Sequence, residues 1–170
     1  MTDSFAQLAQ EPRSSVRGVW VRRAMLTLLA VIALAALLNR FGQSPAQTTA
    51  RAAAATLRLS APERVRGGLF FQSRLDIRAA QAIDHPRSVL DPGWVEGMQV
   101  NSIEPAPVGE ASRDGRIVLS YDALEAGDVL SVWFQFEVNP TNVGHRSYAV
   151  ELDDSERPVA RLAPSITALP

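Results

Sequence analysis

Cysteine is absent from the 170 residues, which excludes disulfides, thiolate metal sites, iron–sulfur clusters and cysteine nucleophiles together. Lysine is missing too, so all seventeen cations are Arg; with abundant Ala, that composition reads as a GC-rich bacterial genome. Histidine occurs only as His85 in "IDHPR" and His145 in "VGHRS", too few for a histidine-rich metal site. Both fall in expected turns and read as exposed loop histidines. No Gly-x-Ser-x-Gly elbow supplies a serine nucleophile. Gly67-Gly68 has neither the spacing nor the following helix of a phosphate loop. Asn139-Pro140-Thr141 carries the proline that blocks asparagine glycosylation. No cofactor and no resident metal are expected.

Charge is divided unevenly along the chain. Residues 1–42 hold five Arg against Asp3 and Glu11, a balance of +3, whereas residues 43–170 hold twelve Arg against sixteen acids, a balance of −4. An acidic folded part without a basic stripe argues against nucleic acid as a partner. The basic part flanks the one long apolar run, "RRAMLTLLAVIALAALLNR". Its charge-free core, Ala24 to Leu38, spans roughly 22 Å as helix, short of a hydrocarbon layer of about 30 Å. The flanks extend it: Val19, Trp20, Val21 and Phe41 add apolar length if Arg22, Arg23 and Arg40 snorkel to the headgroups. A cleavable signal has a short basic leader and a neutral cleavage region, but here twenty-three residues precede the run and Arg40 follows it. The run therefore reads as an uncleaved anchor over residues 19–42. Its bilayer-facing residues are Leu28, Leu29, Val31, Ile32, Leu34, Leu37 and Leu38, with Trp20 at interfacial depth. Arg13, Arg17, Arg22 and Arg23 before the span keep the N-terminus in the cytoplasm. Residues 1–18 read as a disordered cytoplasmic tail and residues 43–55, rich in Ala and Thr, as a tether.

From residue 56 to 170 the pattern changes to alternation, the mark of half-buried strands. In "LFFQSRLDIRA", Leu69, Phe71, Leu75 and Ile77 share one face, with Gln72, Arg74, Asp76 and Arg78 on the other. In "VLSVWFQFEVNP", Leu130, Val132, Phe134, Phe136 and Val138 point one way. Shorter strands are expected over 56–60, 87–91, 97–103, 116–122, 146–152 and 158–167. Gly67-Gly68, Asp91-Pro92-Gly93, Asp114-Gly115 and Ala126-Gly127-Asp128 punctuate them as turns. The expected fold is all-β: an antiparallel sandwich of about seven or eight strands behind one N-terminal transmembrane helix.

The stretch "LEAGDVLSVWFQFEVNPTNVGHRSYAVEL" resembles the later strands of bacterial immunoglobulin-like modules, where a Gly turn precedes a long apolar strand and another turn leads to its hairpin partner. The sequence departs from the pattern in having no cysteine pair and in placing Trp94 after a Pro-Gly turn. Such modules are mostly adhesive, spacing or assembly units, and the resemblance carries over no catalytic residue.

The candidate contacts are few. Trp133 falls on the polar side of its strand, with Ser131, Gln135 and Glu137, where its flat apolar area could meet a sugar ring or a protein unless the chain's own loops cover it. The segment "EPAPVGEASRDGR" (104–116), which holds Arg113 and Asp114, reads either as a loop displayed at an end of the sandwich or as a plain hairpin connection. "ELDDSE" offers oxygen ligands for calcium in Asp153, Asp154 and Glu156 but lacks the full loop spacing and reads as a solvated turn. The sequence thus points to a non-catalytic, membrane-anchored binding or assembly subunit with its sandwich outside the cytoplasm. Its partners are the lipid bilayer and another envelope protein. The alternative is a carbohydrate-binding accessory or enzyme with a site in the sandwich loops.

Overall fold

A computed structural model describes residues 16–38 and 43–169, which belong to two separate units, 1–42 and 43–170. In the first unit, α1 runs Val16–Leu37. At 1.5 Å per residue its 22 residues span about 33 Å, and Leu38 N–H still donates to Leu34 O at 2.9 Å. The helix starts inside the expected tail. Residues 18–37 are long and apolar enough to cross a membrane, with mean hydropathy 1.8 in the richest window. Trp20, Leu28, Leu29, Val31, Ile32, Leu34, Leu37 and Leu38 are all exposed. The Arg23 guanidinium lies 5.9 Å from the Trp20 ring centroid, and Thr27 returns its hydroxyl to Arg23 O at 2.9 Å. Arg40 and Phe41 lie outside the described residues, as does the expected tail up to residue 15.

The second unit is a mostly antiparallel β-sandwich. Thirteen strands form among the described residues where seven or eight were expected. One sheet comprises β1 (Pro45–Arg51), β2 (Ala55–Pro62), β4 (Phe70–Ala79), β9 (Val129–Val138) and β6 (Met98–Glu104), in that lateral order. The other comprises β12 (Arg157–Leu162), β11 (Val150–Asp154), β5 (Pro86–Leu90), β8 (Arg116–Ser120) and β7 (Gly109–Arg113). A small third sheet joins β10 (Gly144–Ser147), β13 (Ser165–Leu169) and β3 (Arg64–Arg66), the last pair being parallel.

Period-two alternation in β2, β4 and β9 sends Leu57, Leu59, Leu75, Ile77, Val132, Phe134, Phe136 and Val138 into a single core. Leu90, Leu119, Val150, Leu152 and Leu162 meet them from the facing sheet. Trp94, on a 3-10 turn over Pro92–Trp94, occupies the centre: its ring stacks on Tyr148 at 3.9 Å and meets Phe134 edge-on at 4.9 Å. Its indole N–H donates to Ala149 O at 2.9 Å, so the polar atom is satisfied in the core. Ser73, inward on β4, shares a buried 2.9 Å hydrogen bond with the Tyr148 hydroxyl.

Several expectations are corrected. Residues 43–55 are not a tether, because β1 pairs with β2 from Pro45↔Pro62 to Arg51↔Thr56; the backbone ladder supplies what its polar side chains do not signal. The segments 146–152 and 158–167 are each two strands. Tyr148 and Ala149 turn into the core between β10 and β11, and Pro164, lacking an N–H, separates β12 from β13. Leu69 lies before β4 and is exposed rather than inward. His145 is in β10, not in a turn.

Candidate functional site

The outward faces of β1, β2, β4 and β9 form a lattice set by pairing register. One row reads Gln47, Ser60, Arg74, Trp133, and continues to Glu104 on β6. The next reads Thr49, Arg58, Asp76, Ser131, and the third Arg51, Thr56, Arg78, Val129. Trp133 is 38% exposed, so the chain's own loops do not cover it. Its cross-strand neighbour does so in part: the Arg74 guanidinium carbon sits 4.8 Å from the ring centroid. Arg74 is held in turn by Nε to Asp76 Oδ1 at 2.7 Å and Nη2 to Ser131 Oγ at 3.2 Å. The Ser131 hydroxyl donates to the same Asp76 oxygen at 2.6 Å. Cation–π contact on an exposed sheet is worth about 0.5–1 kcal/mol, so its main effect is to fix the orientation of the indole.

Beside Trp133 lies a cleft of about 480 Å³ whose polar lining includes Gln43, Gln47, Arg58, Ser60 and Gln72. Gln43 Nε2 is buried there with no hydrogen-bond partner among the described residues. Arg51, Arg58 and Arg78 are exposed, and none forms an ion pair among the described residues. Asp76 is the one acid on β1, β2 and β4, and Arg74 and Ser131 occupy it. A positively charged, partly apolar floor thus forms on a folded unit that is acidic in total.

The other expected contacts lie on the second sheet. The 104–116 segment is a hairpin connection rather than a displayed loop, since its residues 109–113 are β7, paired with β8 from Gly109↔Ser120 to Arg113↔Arg116. Asp114 (φ 52°) and Gly115 (φ 75°) make the two-residue turn, and positive φ at both positions is the type I′ geometry that suits hairpin twist. Arg113 reaches Glu156 at 3.9 Å, an exposed and weak ion pair. Around them a hollow of about 230 Å³ is lined by Val89, Arg113, Asp114, Arg116, Asp153 and other residues. Asp153 is 9% exposed, with Oδ1 unpartnered among the described residues. Burial, then the neighbouring Glu151 charge, raises its carboxyl above the ordinary carboxylate range. Arg116 bridges Asp91 at 3.2 Å and Glu151 at 2.9 Å across the same face. Trp133 and the Arg113–Asp114 turn are therefore on different sheets and are not brought together.

Alternation splits the acidic "ELDDSE" stretch. Asp153 is buried, Asp154 Oδ1 accepts from His85 N–H at 3.0 Å, and Glu156 faces Arg113. Among the described residues no group of three or more His, Asp or Glu is placed to hold a metal. His145 Nδ1 lies 3.1 Å from Thr167 Oγ1 on the small sheet, and neither histidine lines the Trp133 cleft.

The sequence puts Trp133, Arg74 and Arg78 on outward faces but gives Arg51 no strand, because residues 43–55 read as a tether, and it does not bring these residues to one surface. A signal for Arg58 was present: Thr56, Arg58 and Ser60 alternate with Ala55, Leu57 and Leu59, which marks Arg58 as outward.

No family model matches the chain, and no curated protein matches it in sequence. Among solved structures it is similar to AvmM, which catalyses macrocyclization in alchivemycin A biosynthesis: TM-score 0.45, 7% identity, 75% of this chain and 89% of that one covered. It is also similar to a non-cellulosomal cohesin from the hyperthermophilic archaeon Archaeoglobus fulgidus: TM-score 0.40, 13% identity, 75% of this chain and 92% of that one covered. Neither likeness bears on function.

Proposed function

We propose that this chain is a membrane-anchored, non-catalytic binding module of a bacterial envelope, with its N-terminus in the cytoplasm and its sandwich outside. The contact surface is the outer face of the first sheet. One observation carries this reading: Trp133 is exposed at the edge of a polar cleft, yet held in one orientation by the Arg74–Asp76–Ser131 network. A fixed indole makes contact with little loss of side-chain entropy, which is the property of an interface anchor. The apolar helix supports anchoring, and the arginine-rich leader supports the orientation. Anchoring confines the module to a thin layer and so raises its effective concentration for any envelope partner.

The test is site-specific photo-crosslinking in intact cells. A photoreactive residue in place of Gln72, beside Trp133, should trap an envelope component, whereas one in place of Glu156 on the second sheet should not. Trp133→Ala should abolish the Gln72 crosslink while leaving the melting temperature within a few degrees. Equal crosslinking from both sheets, or none from Gln72, sinks the assigned surface. A mature chain whose mass shows that the apolar segment has been removed sinks the anchor.

A further inference from the structure

We infer that the cleft beside Trp133 binds an acidic saccharide, a sugar chain carrying carboxylates; this rests on the proposal that the same face is the contact surface. Three features converge on that class of ligand. Neutral donors and acceptors line the cleft in Gln43, Gln47, Ser60 and Gln72, and amides and hydroxyls of this kind match sugar hydroxyls. Gln43 Nε2 is a buried donor with no partner among the described residues, and a buried donor left alone is costly; a ligand hydroxyl that accepts from it removes that cost. Trp133 supplies the flat apolar plate on which the C–H face of a sugar ring rests.

Charge selects the acidic member of the class. Arg58 lines the cleft, and Arg51 and Arg78 lie diagonally from it on the flanking strands. Asp76, directly opposite Arg58, also lines the cleft, but Arg74 and Ser131 engage it, so Arg58 keeps no ion pair among the described residues and is open to an anion. Arginine presents a planar fork that takes a carboxylate through two parallel hydrogen bonds. An acidic peptide would be held by strand addition at an open sheet edge or by apolar side-chain pockets, whereas this cleft is lined by outward side chains of the sheet and has a single exposed aromatic residue, Trp133. Single-stranded nucleic acid would exploit a series of stacking platforms, and the cleft lining offers one exposed ring, Trp133, because its Phe71 is buried and the outward Phe70 of β4 lies outside the lining.

The experiment is calorimetric titration of the full-length protein in detergent micelles with oligogalacturonate. A galactose oligomer of matched length, polyglutamate and a deoxythymidine oligomer serve as the other arms. Oligogalacturonate should bind at least ~10-fold more tightly than each of them. Charge-assisted hydrogen bonds are worth about 1.5–3 kcal/mol, so Arg58→Gln with Arg78→Gln should weaken binding ~10-fold or more. Trp133→Ala should weaken it by a similar factor without losing the cooperative melt. Equal affinity for the neutral oligomer, for polyglutamate or for the oligonucleotide overturns the inference, as does binding that ignores Trp133. If oligogalacturonate does not bind while the Gln72 crosslink persists, the saccharide assignment fails and the contact surface stands. If both are lost, the surface itself is wrong.

Discussion

Gly93 sits where an added Cβ would come within 1.8 Å of the Ser147 carbonyl oxygen, a backbone atom that cannot swing aside. Only glycine lets the Pro92–Trp94 turn press so closely on β10 and seat Trp94 in the core. Gly93→Ala should therefore lower the melting temperature by ~10 °C or more, read by calorimetry, since overpacking of this kind costs about 3 kcal/mol. The Ser73–Tyr148 hydroxyl pair gives a second test. Tyr148→Phe strands the Ser73 hydroxyl in the core and should cost about 1–3 kcal/mol in denaturant unfolding. Adding Ser73→Ala should recover part of that loss, the signature of a coupled pair. Asp153 carries the pH dependence. Its carboxyl is raised by burial, so the folded chain holds the proton more tightly than the unfolded one. The resulting cost to stability is absent below the unfolded value and grows as pH rises through the folded value. Asp153→Asn should raise the melting temperature at neutral pH, with the gain vanishing on acidification. A gain of the same size at every pH would show that the charge is irrelevant.

At the scale of elements, legibility followed apolar alternation. β4 and β9 were read from sequence because their inward residues are large and apolar, and the structure buries Leu75, Ile77, Val132, Phe134, Phe136 and Val138 as expected. β1 and β7 were missed for the opposite reason: "PAQTTAR" and "GEASR" carry almost no apolar side chain. They are edge strands, each paired on one side only, and their backbone hydrogen bonds do the work that side-chain burial does elsewhere. A fragment of residues 56–170, the boundary expected from sequence, therefore lacks a strand of the first sheet and leaves β2 as a bare edge. It should melt lower and aggregate more readily than residues 43–170, by light scattering during a thermal ramp. Equal behaviour of the two fragments would mean that β1 contributes nothing. The same omission hid Arg51, which belongs to β1, whereas Arg58 and Arg78 fall in strands legible from the sequence and are brought side by side only by β2–β4 pairing.

For the molecule as a whole, the helix and the sandwich give separate tests. The anchor predicts that the chain stays with the membrane pellet after an alkaline wash, and that protease added outside the cytoplasmic membrane reaches the sandwich. Release by the wash would remove the anchor, and protection from that protease would reverse the orientation. What the sequence determined by itself was local: an apolar helix of spanning length, an all-β unit, and an outward Trp133. These follow from spacing between near neighbours, because helix and strand periods sort side chains before any partner is known. Only the tertiary structure decided that Gln47, Ser60, Arg74 and Trp133 stand in one row, and that Arg113 and Asp114 stand elsewhere. Lateral order and register join strands far apart in the chain, and they depend on which faces close a common core, a property that no single segment contains.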